Sequence, residues 1–534
     1  VFYNLVFFII VKIILNNKLK SDRIIFIILL ISALAVMQLN SQILFKLPKQ
    51  DTIQQLAPLE ELQNDLDGLL NNTDFSYAYI GLSVYSPKKG EYLYQRNAQK
   101  NFIPASNLKL LTTATALRYL GSDYKFQTRM YLDGEISKNG EFTGDVYLRG
   151  YGDPTISGYF SENPLHIFDY FVNKLDSLGI RSVKANIIGD DNFFDDKYYS
   201  AGWQMDDLLY PYSAQVNALS VFDNKIDIEI VSGDSIGDFT NSEIFPDVSY
   251  VQLVNHVITT GESEPVNLYA IREPGTNLIE IKGNIPYDST KTKINKISVT
   301  IDNPTQFFLN IFKMHLLNKN IRHRGALIDI DDTNFLPDYS AMDKYYVQYS
   351  PKLSEVINVI NRESHNLASE MLLKTIARET LGFGSTENGI VQVKKFLNKN
   401  GIPPDNIMIV DGSGLSRINL ISPNNMTTLL SAMYHSQNRR VFISSLAVPG
   451  KDGTLKRRMK KSFAEKRVFA KTGTMNNVST LSGYVNTRDD EILAFSIMIM
   501  NYTAQINLAH NLQDLICMRL ASFSRIAVKP EDKK

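Results

Sequence analysis

One cysteine, Cys517, stands in the whole chain, in the apolar stretch Asp514-Leu-Ile-Cys-Met-Arg. That excludes an intrachain disulfide and a thiolate metal cluster, and a buried small hydrophobe is the plain reading. Excess charge is also missing: Lys+Arg and Asp+Glu are 56 each in 534 residues. With no basic stripe and no interleaved aromatics, nucleic acid is not expected as a partner. The seven histidines (166, 256, 315, 323, 365, 435 and 510) form no His-Glu-x-x-His and no zinc spacing. Gly-x-Ser-x-Gly and a P-loop are absent too, so neither an α/β-hydrolase elbow nor nucleotide chemistry is supported. The Gly-rich Asp411-Gly-Ser-Gly-Leu-Ser416 lacks a P-loop lysine and reads as a tight turn.

No apolar run reaches the roughly 20 residues that a spanning helix usually needs. Val1–Leu15 is broken by Asn4 and Lys12, and Ile24–Met37 is 14 residues preceded by Lys18, Lys20 and Arg23. The second run, ending near Ala33-Leu-Ala35, reads as a secretory signal in preference to an uncleaved anchor. Residues 1–42 are therefore taken as an apolar region with signal or anchor, and the rest as lying outside the cytoplasmic membrane.

What the chain does hold is organised in two halves around a different middle. Tyr77–Gln95, turning at Ser86-Pro-Lys-Lys-Gly90, predicts a β-hairpin. Pro104 then introduces a helix from Ser106 to Leu120, stopped by Gly121. From about Tyr124 to Leu336, short alternating stretches such as Ile226-Asp-Ile-Glu-Ile-Val, with helix-like pieces at Pro164–Leu178 and Pro304–Leu317, predict one or two β-rich inserted modules. Helical sequence returns at Lys352–Thr380. Three strands are expected at Arg467–Lys471, Ser479–Val485 and Glu491–Met500, followed by a helix from Ala504 to about Phe523. The parts 43–123 and 337–525 thus predict one α/β domain built from both ends, interrupted by 124–336 and followed by a tail at 526–534.

Ser106-Asn-Leu-Lys109 puts a hydroxyl and an amine about one turn apart on one helix face. Ser-x-x-Lys occurs twice more, at Ser86 and Ser122, but in a hairpin turn and a polar connection. Lys471-Thr-Gly473 occurs once, with Lys471 expected at a strand end. Ser-x-Asn is the weakest signal, and only Ser364-His-Asn366 among its five occurrences lies between two amphipathic helical stretches. A serine nucleophile needs a base. A free lysine, with pKa about 10.4, is protonated at neutral pH, and bringing it near 7 corresponds to roughly 4 kcal/mol. Burial and a second lysine both act in that direction.

These three elements, in this order, resemble those of the penicillin-recognising serine enzymes. Further stretches look like the class C low-molecular-mass penicillin-binding proteins, the D-alanyl-D-alanine carboxypeptidase/endopeptidase family: Asp145–Thr155, Gly189-Asp-Asp191, Gly202–Leu209, Asn217-Ala-Leu-Ser220 and Asp411–Arg417. The resemblance covers about residues 55 to 525. It implies a penicillin-binding-protein/β-lactamase-like transpeptidase domain, an antiparallel sheet flanked by helices, with inserted β-rich accessory domains. It also implies roles. Ser106 is the acylated nucleophile, Lys109 its base, and Ser364 a proton relay. Asn366 orients Lys109 and the substrate amide. Lys471, Thr472 and Thr474 meet the substrate carboxylate, and Gly473 leaves room for substrate backbone. The amides of Ser106 and Thr474 form an oxyanion hole.

The function so implied is a serine DD-peptidase of peptidoglycan. It cleaves D-Ala-D-Ala termini or D-alanyl cross-links through an acyl-serine, is trapped by β-lactams, and uses no metal or cofactor. The expected place is the periplasm or cell envelope, with membrane association through the N-terminus if the anchor persists. Two rivals remain on sequence alone: a β-lactam hydrolase and a catalytically silent cell-wall-binding protein.

Overall fold

The computed structural model describes residues 57–526, and Lys12 before them. The signal or anchor expected in 1–42 and the tail at 526–534 otherwise fall outside the described residues. Among those residues no helix is long and apolar enough to cross a membrane.

The first segment holds α1 (Pro58–Leu70), the hairpin of β1 (Tyr79–Ser86) and β2 (Glu91–Arg96), and α2 (Lys109–Tyr119). The middle runs through β3 (Gln127–Ile136), β4 (Glu141–Gly150), α3 (His166–Ser177), β5 (Ser182–Asp190), β6 (Lys225–Val231) and β7 (Asn241–Phe245). It continues with β8 (Gln252–Thr260), β9 (Asn267–Arg272), β10 (Leu278–Pro286), β11 (Asn295–Thr300), α4 (Pro304–Asn318), β12 (Arg322–His323), β13 (Leu327–Asp329) and β14 (Tyr345–Tyr349). The last segment holds α5 (Leu353–Arg362), α6 (Asn366–Leu381), α7 (Thr386–Lys399), α8 (Pro423–His435) and α9 (Arg439–Ser444), then β15 (Val468–Met475), β16 (Val478–Asn486), β17 (Ile492–Met500) and α10 (Ile506–Ser522).

Both ends of the chain build one antiparallel sheet, in the order β15-β16-β17-β1-β2. Its central strand β17, Ile-Leu-Ala-Phe-Ser-Ile-Met-Ile-Met, is buried on both faces, which explains the nearly unbroken apolar run. Leu493, Phe495 and Ile497 pack with Leu62 and Leu66 of α1 and Leu512 and Ile516 of α10. Ala494 and Met498 face the other way, against a core that includes Leu110 of α2, Val356 of α5 and Leu429 of α8. Each such fully buried aliphatic contributes about 1.5–3 kcal/mol. Helix α2 is buried all round from Lys109 to Leu117, as expected for a helix at the centre of a core. Its threonines remain satisfied: Thr113 donates to Lys109 O, Thr115 to Leu111 O and Thr112 to Gly412 O. Cys517 is buried in α10.

The middle region combines sheets with the two helices expected near 164–178 and 304–317. A six-stranded sheet runs β12-β5-β4-β3-β14, with β13 also on β5, and β4, β12 and β13 all lie parallel to β5. Helices α3 and α4 pack together through Phe168, Phe308 and Phe312. Two three-stranded sheets, β8-β10-β9 and β11-β6-β7, complete it. Because β14 pairs with β3, the large sheet extends past residue 336.

Three local boundaries differ from the sequence expectation. Ser106 sits in a 3₁₀ turn, Ala105–Leu108, with the α-helix starting at Lys109. The strand carrying Lys471 does not end there but runs to Met475, because Thr474 and Met475 pair with Ser479 and Val478 across a tight turn at Asn477, φ 60°. Helical sequence at 352–380 breaks at Glu363-Ser364-His365 into α5 and α6.

Candidate active site

Backbone shape brings the nucleophile candidate forward. Ala105 holds φ 46°, so the chain turns sharply just before Ser106. Two glycines let other segments press against this turn. At Gly414, φ 82°, a Cβ would fall 1.9 Å from Ala105 O; at Gly473 it would fall 2.9 Å from Ser106 N and 2.3 Å from Thr480 Oγ1. Gly473 therefore allows strand β15 to lie directly on the backbone of Ser106. Asn107 Nδ2 secures the same contact by donating to Lys471 O at 2.8 Å.

Lys109 is the hub. Fully buried, it donates to Ser106 Oγ at 3.1 Å, to Asn366 Oδ1 at 2.6 Å and to the carbonyl of Ser413 at 2.6 Å. Burial lowers its pKa to about 7, against the opposing pull of the Asp411 and Glu370 carboxylates. The sequence had credited the second lysine with part of that shift. Instead, burial dominates at Lys109, and it is Lys471 that feels its neighbour: burial first, then the charge of Lys109, holds Lys471 well below the ordinary ammonium range. Its Nζ donates to the carbonyl of Thr472 at 2.9 Å.

The Ser-x-Asn element comes from the break between α5 and α6. Ser364 adopts φ 64°, a conformation that costs a non-glycine residue about 1–3 kcal/mol and gathers at functional sites. His365 caps α6 by accepting from Ala368 N through Nδ1 at 3.1 Å, which leaves Nε2–H to donate to Asp223 Oδ1 at 2.9 Å. Asn366 bonds Lys109 with its oxygen and donates from Nδ2 to the carbonyl of Tyr212 at 2.7 Å.

Ser106, Ser364, Asn366 and Thr474 line one cleft of about 670 Å³, together with Tyr212 and Arg417. Lys109 is buried next to this lining, bonded to Ser106 and Asn366. Lys471 and Gly473 share one face of β15, while Thr472 and Thr474 share the other. Thr472 is turned to Thr454, donating at 2.8 Å.

Sequence reasoning missed the shell behind Lys109. Glu370, buried on α6, accepts from Gly412 N at 2.9 Å and Ser413 N at 2.7 Å, and so aims the Ser413 carbonyl at Lys109. Asp411 organises the rest of that loop, accepting from Ser416 N, Gly414 N and Asn419 Nδ2 at 2.7, 2.9 and 2.8 Å. Burial raises both carboxyl pKa values, and the charge of Asp411 adds to the rise at Glu370. The signal was present: an acid amid Ser369-Glu-Met-Leu-Leu373, four residues after Asn366 on one helix face.

A serine hydroxyl hydrogen-bonded to a buried lysine, beside a Lys-Thr-Gly strand, defines the class of penicillin-binding serine peptidases. The family model described as D-Ala-D-Ala carboxypeptidase 3 (S13) matches residues 62–519. The D-alanyl-D-alanine carboxypeptidase of Actinomadura sp. (strain R39) is 32% identical over 484 residues, covering 88% of this chain and 86% of that one. D-alanyl-D-alanine carboxypeptidase DacB of Haemophilus influenzae is 22% identical, covering 79% and 86%. Among solved structures, penicillin binding protein 4 from Haemophilus influenzae superposes with a TM-score of 0.73 at 20% identity, covering 86% of this chain and 100% of that one. The chain belongs to the D-Ala-D-Ala carboxypeptidase 3 (S13) family, and its fold is the transpeptidase fold with additional domains. It is a serine DD-peptidase.

Proposed function

We propose that Ser106 is the residue acylated by D-alanyl peptides of peptidoglycan and by β-lactams, with Lys109 as its base. The observation that carries this reading is the hydrogen bond of Lys109 Nζ to Ser106 Oγ, 3.1 Å, from a lysine whose pKa burial brings to about 7. A base poised near the working pH is the efficient one. In its neutral form Lys109 keeps two N–H donors, for Asn366 Oδ1 and Ser413 O, and turns its lone pair to the Ser106 hydroxyl; in the acylation step Oγ bonds to the D-alanyl carbonyl carbon and its proton passes to Lys109 Nζ. The C–N bond then breaks, and the leaving amine takes a proton by way of Ser364. Backbone N–H groups of Ser106 and Thr474 hold the developing oxyanion, typically worth about 2.7–4 kcal/mol per donor. Lys471, Thr472 and Thr474 receive the substrate carboxylate, whose negative charge favours the charged form of Lys471. Water then attacks the acyl carbon by the reverse path and frees Ser106. No step requires a cofactor.

The chain acts at the cell envelope, delivered across the cytoplasmic membrane by the apolar region at 24–37. Retention of that region would tether it to the membrane. The test is covalent labelling of the purified protein with a fluorescent penicillin and mass mapping of the adduct. Labelling on Ser106, absent from Ser106→Ala, is expected; labelling that persists in Ser106→Ala contradicts the assignment.

A further inference from the structure

Far from these residues in the sequence, three aspartates meet at the C-terminal ends of two parallel strands. Strands β5 and β13 pair in parallel with Asp329 beside Gly189, so Asp191, just past β5, arrives beside Asp329 and Asp331. One carboxylate oxygen from each lies within 4.8 Å of the others. Repulsion at such spacing is costly unless something positive offsets it.

Asp191 supplies the second, independent sign. The residue is only 5% exposed. Its Oδ2 is saturated, accepting from Thr305 Oγ1 at 2.6 Å and from Asn217 Nδ2. Its Oδ1 is buried without a hydrogen-bond partner. A buried ionised oxygen lacking a donor is expensive. Around the group stand more acids: Asp196, Asp190 and Asp332 all bear on Asp331. The nearby guanidinium of Arg149 is turned to Asp190, 3.2 Å away. Asp329 is held by Asn303 Nδ2 at 3.0 Å, which fixes one ligand in advance.

We propose that Asp191, Asp329 and Asp331 form a binding site for a hard divalent cation of the calcium class. All-oxygen, carboxylate-rich donor sets suit such ions, and water completes the coordination. The site has a structural role. Asp191 anchors Asn217, and the segment between the two carries the Tyr212 carbonyl that receives Asn366. A cation here ties β5, β13 and the start of that segment together. It takes no part in the acyl transfer.

The experiment uses the full chain, freed of metal with a chelator, and titrates CaCl₂, MgCl₂ and MnCl₂ by calorimetry and thermal melting, with NaCl at matched ionic strength as control. One saturable site is expected for at least one of these cations, at about 1 mM or tighter as in extracellular calcium modules. Saturation should bring a Tm rise of at least about 2 °C. Asp331→Asn, at an exposed position, should bind at least about tenfold more weakly while its metal-free Tm matches or exceeds that of the parent, since one repelling charge is gone. Asp191→Asn should lose binding altogether. Absence of saturable binding up to about 10 mM, an equal Tm rise with NaCl, or unchanged affinity in Asp331→Asn would overturn the proposal.

Discussion

The catalytic cleft and the aspartate corner both bury charge, and they resolve it differently. Behind Ser106, basic and acidic groups are interleaved: Lys109 and Lys471 stand with Glu370 and Asp411, and backbone amides donate to the acids. At Asp191, acids meet acids, and one oxygen has no donor. The first arrangement is complete in itself and tunes a base. The second asks for a positive partner from outside. Burial alone therefore does not identify a catalytic group. The discriminating feature is whether the buried charge touches a nucleophile that lines a cleft, as Lys109 touches Ser106.

Removing the base should show the largest effect. Lys109→Met is expected to lower the acylation rate constant for penicillin by at least about 10³-fold, as losses of a unit's members do, measured by stopped-flow or quenched labelling. Gly473→Ala comes next. Its Cβ meets Ser106 N and Thr480 Oγ1, so β15 must retreat from the nucleophile. Overpacking costs about 1–3 kcal/mol, and misplacement of this order slows acylation by about 100-fold. Denaturant melts and labelling rates read the two effects separately.

Glu370→Gln sharpens the comparison, because it removes one of the negative charges that oppose the downward shift of Lys109. The acid limb of the acylation profile should move to lower pH than in the parent. A move to higher pH would mean that Glu370 acts otherwise. Lys109 also leaves a signature in stability. Its folded pKa, about 7, lies below that of an unfolded lysine. Between those values the unfolded chain holds the extra proton, so this group makes the protein more stable as pH rises from about 7 towards 10. Lys109→Met should reduce that gain by up to about 1.4 kcal/mol per pH unit, read as the difference between mutant and parent melts at pH 7 and 9. The smallest effect expected is from His365→Ala, which removes the α6 cap and the link to Asp223, costing about 1 kcal/mol.

Much of the fold was readable because the chain repeats simple signals. The hairpin at 79–96 and the two strands at 478–500 alternate or run apolar, and α10 carries its own pattern. Ser106, Lys109, Ser364, Asn366 and Lys471 were legible as side chains at motif spacing. What stayed hidden works through backbone. The Ser413 carbonyl on Lys109 and the Tyr212 carbonyl under Asn366 carry no side-chain signature, and each is brought in across a long stretch of sequence. Strand β15 was expected to end at Lys471, whereas Gly473 is the residue that lets the strand pass on over Ser106. The parallel strands of the middle region were missed for the same reason: pairing partners such as Val146 and Ile187 lie on opposite sides of helix α3.

The central claim is that burial makes Lys109 a base at neutral pH. The rate of Ser106 acylation by penicillin, measured from pH 5 to 10.5 under single-turnover conditions, tests it most directly. The account predicts a rise with an apparent pKa near 7, followed by a plateau. A rate still climbing through pH 10, as an unshifted lysine would give, or one indifferent to pH, would contradict it.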